Sequence, residues 1–261
     1  MSPKRAHSIK SLSLYDLHRI LPHPVLTEQL ADFIQHVRRY GVVEVNAIGA
    51  VLQDFKRIGE YLAAHASSEQ FDGLLTEVEF WHYPDADVKY ADFAALLQEI
   101  KTFNLTARGK SMPLGAYLGY LDDSTGASAI EKATTISALT DSIYLHCYGQ
   151  QGYQTFGVCQ ERLQLFADTQ ASVKIIPIFS AEGGEYHAAY PFQGDFFRAT
   201  GIDSGEALFR EAFTADTHVA NSNLQLASFQ YYEYRYLGRY LPTTESHTSL
   251  GCSVRKAAKV L

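Results

Sequence analysis

Two glutamates separated by one residue, Glu77 and Glu79, have the clearest capacity for chemistry in this sequence. They stand in an apolar run that predicts a β-strand over Leu74–Phe80. Alternate strand residues share a face, with Cα atoms about 6.5 Å apart at ~3.3 Å per residue, so both carboxylates would enter the same space. Like charges crowded away from water do not both ionise easily, so one carboxyl could keep its proton and act as a general acid.

Other polar and aromatic side chains stand at or just past the ends of β-rich runs. Glu182 precedes two glycines and could form an acid and nucleophile pair with Glu79. Trp81 could stack on a sugar ring or pack under a loop, and His146 could line a site or be a satisfied core residue. Tyr148 is a candidate catalytic residue with the two glutamates. The candidate substrate-binding residues are Asp16, Trp81, Tyr117, His146, Glu182, Tyr231 and Tyr232.

The elements that must position these residues are short apolar runs that alternate with stretches of helical spacing at intervals of roughly 30 residues. This alternation is typical of βαβ units and a mainly parallel sheet. The predicted strands are Ser11–Asp16, Val42–Ile48, Leu74–Phe80, Leu114–Gly119, Ser142–Tyr148, Val173–Phe179 and Leu226–Tyr232.

Two α/β architectures fit this order, a closed barrel and an open doubly wound sheet. The chain has neither of the two glycine-rich phosphate-binding motifs expected of an open nucleotide-binding sheet, which favours the barrel. We therefore predict one domain over residues 1–261, an α/β fold of the (β/α)8 TIM-barrel type with an irregular or missing eighth strand. In such barrels the catalytic side chains lie at the carboxyl ends of the strands.

The segment Asp72–Glu79 resembles the D-G-x-D-x-D-x-E strand of glycoside hydrolase family 18, the chitinases and endo-N-acetylglucosaminidases. Asp72 and Gly73 match, Glu79 falls on the catalytic acid, and Glu77 stands where the family has the Asp that orients the substrate acetamido group. Leu75 replaces the outer Asp.

The resemblance extends weakly over residues 42–236. Tyr148 matches the family's active-site Tyr, although Gly149 replaces the Asp that follows it, and Tyr231 or Tyr232 stands where the family usually has a floor Trp. The resemblance implies a barrel that hydrolyses oligosaccharides or polysaccharides. Glu79 would be the general acid, Glu77 would position the substrate, and Tyr148 would hydrogen-bond to the reacting sugar.

Two other functions remain open at this stage. The changes at Leu75 and Glu77 would suit a carbohydrate-binding barrel that has lost catalysis. A metal-dependent enzyme is the other, because imidazole and carboxylate ligands suit zinc, manganese or iron, although no H-x-H or H-E-x-x-H motif occurs. Its candidate ligands are Asp16, His18, Glu77, Glu79, His146 and Glu182. We predict no metal and no other cofactor.

Composition limits the partners of the chain. With 22 Lys and Arg against 29 Asp and Glu, the net charge of −7 does not favour nucleic-acid binding. No apolar run reaches the roughly 18 residues of a membrane span, and three cysteines without paired spacing indicate neither a disulfide framework nor a zinc module. The first ten residues do not form a signal peptide, and the localisation stays unknown: secreted if the chain was cut from a longer precursor, otherwise cytoplasmic. The sequence leaves the oligomeric state open.

Aromatic residues are abundant, with 17 Tyr and 15 Phe against a single Trp. Many Phe residues fall on apolar stripes of predicted helices, whereas several Tyr residues lie on predicted strands or just past them. We therefore predict that the Phe residues form core and that the Tyr residues line a carbohydrate site, because tyrosine combines an apolar ring with a polar tip.

Overall fold

The structure is a computed structural model that describes residues 9–122, 127–147, 155–181 and 193–232. These residues divide between two compact units: the first has residues 9–77 and 96–115, and the second has the others. None of the helices in these ranges combines the length and apolarity needed to cross a membrane.

Ten strands occur in the described residues. They are β1 (Ser11–Leu14), β2 (Glu44–Gly49), β3 (Gly73–Thr76), β4 (Thr106–Ala107), β5 (Lys110–Ser111), β6 (Leu114–Leu118), β7 (Ser142–His146), β8 (Lys174–Ser180), β9 (Gln225–Leu226) and β10 (Gln230–Tyr232). The α-helices are α1 (Leu17–Ile20), α2 (Pro24–Arg39), α3 (Leu52–Ala64), α4 (Ala86–Phe103), α5 (Ala129–Leu139), α6 (Gln160–Asp168), α7 (Gln193–Thr200), α8 (Ile202–Ala215) and α9 (Thr217–Ala220).

The main sheet has the strand order β1-β2-β3-β6-β7-β8-β10, and β9 also pairs with β8. The registered pairs of this sheet are parallel, including β1 with β2, β2 with β3, and β7 with β8. Strands β4 and β5 form a separate antiparallel pair. Parallel strands in sequential order, joined through helices, define the TIM-barrel type of α/β fold. The predicted fold class is confirmed.

Each of the seven predicted strands overlaps a strand of this sheet. The last is interrupted, because Gln225–Leu226 and Gln230–Tyr232 both pair with β8, at its beginning and at its end. Helices α7 to α9 occupy most of residues 193–220, between β8 and β9, while residues 182–192 lie outside the described part of the chain. The single-domain assignment stays a prediction.

Asp72 joins the start of β3 to its surroundings in the first unit. Its carboxylate accepts hydrogen bonds from the Val45 backbone N–H at 2.8 Å and from Arg38 Nη2 at 2.6 Å, and Arg108 Nη1 lies 2.8 Å away. The next residue, Gly73, has no room for a side chain, because a Cβ there would lie 2.4 Å from Asn46 Oδ1. Both residues that match the family 18 motif thus have structural reasons to be Asp and Gly.

Phenylalanine rings fill the interior of the second unit. Phe179 on β8 lies 5.2 Å from Phe229, 5.6 Å from Phe197 and 5.7 Å from Phe209, measured between ring centroids. These rings join the sheet to α7 and α8, as the sequence predicted for the Phe residues. Phe80, 2% exposed, forms a second group with Tyr90 and Phe93 of α4.

Candidate functional site

The chain leaves the sheet at Thr76, so Glu77 and Glu79 follow β3 rather than belong to it. Pairing of β3 with β2 ends at Thr76 and Gly49, and one more hydrogen bond joins the Glu77 N–H to the Gly49 carbonyl at 3.1 Å. The prediction of a strand to Phe80 is wrong, because β3 and its pairing with β2 end at Thr76. Both glutamates are exposed just past the carboxyl end of the strand.

A single 3-10 turn over Phe80–His82 follows the two glutamates. Phe80 anchors this turn, since its buried ring stacks on Phe93 at a centroid distance of 5.3 Å. On the solvent side, Glu79 Oε2 lies 3.8 Å from His82 Nε2, with 46% of the Glu79 side chain and 59% of the His82 side chain exposed. A carboxylate and an imidazole therefore lie close together in the segment of chain that follows β3.

Four rings come together in the second unit. Trp81 lies 5.8 Å from Tyr117 of β6, and Tyr117 stacks on His146, the last residue of β7, at 6.2 Å and 23°. Tyr120 meets His146 edge-on at 6.2 Å, and the Tyr117 hydroxyl is 3.4 Å from His146 Nδ1. We call Trp81, Tyr117, Tyr120 and His146 the ring cluster.

Gly119 provides the seat for Trp81. A Cβ at this position would lie 2.5 Å from two indole carbons and 2.7 Å from Nε1 of Trp81, so only glycine lets the indole lie against the chain after β6. The indole Nε1 is buried and has no hydrogen-bond partner in the described structure. The indole is thus held mainly by packing against Gly119 and Tyr117.

Sequence reasoning missed two residues of this region, His82 and Arg162. His82 had a local signal, because it stands three residues after Glu79. Arg162 had none, because its contact with the Gly119 carbonyl joins residues 43 positions apart in the chain. Tyr120 directly follows the predicted strand Leu114–Gly119 and was not among the candidate site residues, although the structure places it in the ring cluster.

The remaining candidate residues have other surroundings. The Tyr231 ring lies 5.8 Å from both Phe179 and Phe197, and its hydroxyl donates to Glu206 Oε1 at 2.9 Å. Burial and the Glu206 carboxylate raise the pKa of Tyr231. Tyr232 is 44% exposed at the end of β10.

Three further candidates remain. Asp16 belongs to the first unit, where it is exposed in a left-handed conformation, with φ of 58°, before α1. Tyr148 and Glu182 lie outside the described residues, so their predicted roles are untested.

The described side chains include no group of three or more His, Cys, Asp or Glu residues that could hold a metal ion. A cavity of about 420 Å³ lies in the second unit and has an acidic lining. In its wall, His218 Nε2 lies 2.7 Å from Asp168 Oδ1. It is lined by Leu121, Asp122, Ala129, Glu161, Gln164, Leu165, Asp168 and His218, none of which belongs to the ring cluster.

No protein-family model matches the sequence, and no curated protein matches it. Among solved structures, the xylanase and alpha-amylase inhibitor protein XAIP-II of Scadoxus multiflorus is similar to 77% of this chain over 72% of its own, with 14% identity and a TM-score of 0.41. A family 18 chitinase of Pseudoalteromonas aurantia is similar over 88% of this chain and 81% of its own, with 12% identity and a TM-score of 0.43.

Streptococcus suis SuiB is similar over 77% of this chain and 42% of its own, with 13% identity and a TM-score of 0.39. Because the three TM-scores are below 0.5, we argue function from this chain's own residues.

Proposed function

We propose that the protein binds an oligosaccharide on the ring cluster and hydrolyses a glycosidic bond with Glu79 as the general acid. The observation that carries this proposal is the ring cluster itself, in which Trp81 stands two positions after Glu79 in the sequence. A pyranose ring has an apolar face of C–H groups and a polar rim. Aromatic rings with polar tips, such as the exposed ring of Tyr120 and the partly exposed ring of His146, complement both, while the Tyr117 ring, 7% exposed, packs behind them.

The position of Glu79 supports its role as proton donor. Only Phe80 separates Glu79 from Trp81 in the sequence, and Glu79 Oε2 lies 3.8 Å from His82 Nε2. A sugar lying on Trp81 would displace water from the adjacent carboxyl group. The proton would pass from Glu79 to the glycosidic oxygen as the bond between that oxygen and the anomeric carbon breaks, and a water molecule would add its oxygen to that carbon and release a proton to the solvent. The roles of Glu77 and Tyr148 in positioning the substrate stay predictions from the resemblance.

The test compares the wild-type protein with Glu79→Gln on aryl glycosides and on oligosaccharides, with N-acetylglucosamine oligomers included because of the family 18 resemblance. We expect wild-type turnover of at least one substrate and a loss of kcat of about 10²–10⁴-fold in Glu79→Gln, since glutamine cannot donate the proton. Emission of Trp81, the only Trp of the chain, reports binding separately.

Glu99→Gln is the matched control, because Glu99 is an exposed glutamate on α4 outside the site. It should keep wild-type turnover. Equal turnover by Glu79→Gln and wild type would show that Glu79 is not the acid. Saturable binding without turnover by the wild-type protein at any pH would contradict the hydrolase and leave a carbohydrate-binding barrel.

A further inference from the structure

Arg162, near the start of α6, is a buried cation of the second unit that the proposed mechanism does not use. It is 6% exposed. One guanidinium nitrogen, Nη1, donates to the Gly119 carbonyl, and Nη2 donates to the Val158 carbonyl at 2.6 Å. The guanidinium carbon lies 5.1 Å from the centroid of the Tyr120 ring. The side chain thus links α6 to the segment that follows β6.

The electrostatic setting of Arg162 is costly. None of the described carboxylates forms an ion pair with it, and the partners of this buried positive charge within the described ranges are two carbonyl dipoles and the face of an aromatic ring. A buried charge without an acid partner lowers the free energy of unfolding compared with a well-packed apolar side chain. A role in placing other groups would explain why an arginine stands here.

Arg162 contacts the surroundings of two members of the ring cluster, Trp81 and Tyr120. Its hydrogen bond holds the carbonyl of Gly119, whose backbone is the seat of Trp81. Its flat guanidinium supports the ring of Tyr120, which remains 45% exposed. A planar donor fork can bond to two carbonyls and stack on a ring at the same time, which the point charge of lysine cannot do.

We propose that Arg162 is a positioning residue that fixes Trp81, through Gly119, and Tyr120 in the arrangement that receives a ligand. That this ligand is a carbohydrate rests on the proposed function, whereas the effect of Arg162 on the two rings does not. By holding the rings in place before binding, Arg162 would lower the ordering cost of binding.

The experiment uses the full chain with Arg162→Met and Arg162→Lys, studied well below their unfolding temperatures. We expect the Trp81 emission of Arg162→Met to shift to longer wavelength, and quenching by acrylamide to rise about twofold or more, because an unfixed ring gains exposure and motion. Arg162→Lys should restore part of this change, since an ammonium can still donate to Gly119. For an oligosaccharide that wild type binds, Kd should rise about tenfold in Arg162→Met.

Lys132→Met is the matched control. Lys132 is also a buried cation, 3% exposed, and its Nζ donates to the Asp122 carbonyl at 2.9 Å, close to Gly119 in sequence. It should lower the unfolding temperature but leave the emission and quenching of Trp81 unchanged. If Arg162→Met does not fold, the same Trp81 readings on Arg162→Lys decide between the two outcomes.

Wild-type Trp81 emission and quenching in folded Arg162 variants would overturn the proposal, as would an equal change in Lys132→Met. An optical change in Arg162→Met together with no response of the wild-type protein to any oligosaccharide would keep Arg162 as the positioning residue and overturn the carbohydrate function instead.

Discussion

Glu79 takes its chemical context from the three residues that follow it in the chain. Phe80 is buried and fixes the 3-10 turn, Trp81 joins the ring cluster, and His82 faces the Glu79 carboxylate at 3.8 Å. The Glu79 side chain itself remains half exposed. We therefore infer that the bound ligand, rather than the free protein, excludes water from the Glu79 carboxyl group.

A methyl group at position 119 tests the seat of Trp81. In Gly119→Ala the new Cβ would lie 2.5 Å from the indole, so the indole must move. We expect an altered Trp81 emission spectrum and a free energy of unfolding lower by about 1–3 kcal/mol, the usual cost of overpacking. Fluorescence and urea titration measure the two effects.

Gly59→Ala on α3 is the control, because its Cβ would meet only the flexible end of Leu105, at 2.8 Å. It should leave the Trp81 spectrum unchanged. A wild-type spectrum in folded Gly119→Ala would show that Trp81 does not lie against Gly119.

Tyr231 gives a prediction about alkaline pH. Burial and Glu206 raise its pKa in the folded chain above the ordinary value of about 10, so the unfolded chain loses this proton first as the pH rises. The free energy of unfolding must then fall from about pH 10 upward, until the folded-state pKa is reached. Tyr231→Phe should lose less stability than wild type between about pH 9.5 and 11, measured by urea unfolding.

At pH 7, the same variant should be less stable by about 1–2 kcal/mol, because Glu206 loses a hydrogen-bond donor. Tyr61→Phe serves for comparison, since burial also raises the pKa of Tyr61 in the first unit. Parallel stability curves for wild type and Tyr231→Phe above pH 9.5 would contradict the buried position of Tyr231.

At the scale of elements, Asp72 tests how β3 is fixed in the first unit. It bonds to the β2 backbone and to arginines from α2 and from the turn between β4 and β5. Asp72→Asn should lower the free energy of unfolding by about 2–4 kcal/mol, because two half-buried guanidinium groups lose their counter-charge.

Asp92→Asn removes an exposed ion pair with Lys89 on α4 and should change the free energy of unfolding by less than about 0.5 kcal/mol. Chemical unfolding curves of both variants provide the comparison. Similar small effects in both would show that Asp72 does not anchor β3.

The positions of the strands could be predicted from the sequence, whereas the places where several of them end could not. Apolar runs indicate buried strands, but they do not show where strand pairing ends. The pairing of β3 with β2, for example, ends at Thr76 and Gly49. Helix starts are of two kinds: the Ser128–Glu131 capping box begins α5, whereas α2 begins at Pro24. Proline is well suited to a first helical position because it has no N–H to satisfy.

Part of the candidate site could also be predicted. Trp81, Tyr117 and His146 stand at the ends of predicted neighbouring strands, and carboxyl ends of parallel strands meet at one edge of a sheet. Arg162 could not be found this way, because nothing in a helical sequence shows which distant carbonyl its side chain will reach. Tyr231 lies on a strand as predicted, but its hydroxyl bonds to Glu206.

For the whole molecule, the separation of the aromatic residues into core Phe and site Tyr is only partly right. Phe55, Phe93 and Phe179 are fully buried, as expected. Tyr120 is exposed in the ring cluster, yet Tyr144 is only 6% exposed. A tyrosine on a parallel strand can turn to either face of the sheet, and the sequence pattern does not distinguish a face that binds ligand from one that packs against helices.

The most direct measurement of the central claim is a titration of Glu79→Gln with an oligosaccharide that the wild-type protein hydrolyses, followed by Trp81 emission. Without the acid the substrate is not consumed, so its binding can be measured at equilibrium. The account predicts a saturable change in Trp81 emission, with an affinity close to the wild-type KM and with turnover lost. No change in Trp81 emission at saturating substrate, or undiminished turnover, would contradict a carbohydrate site built from Glu79 and the ring cluster.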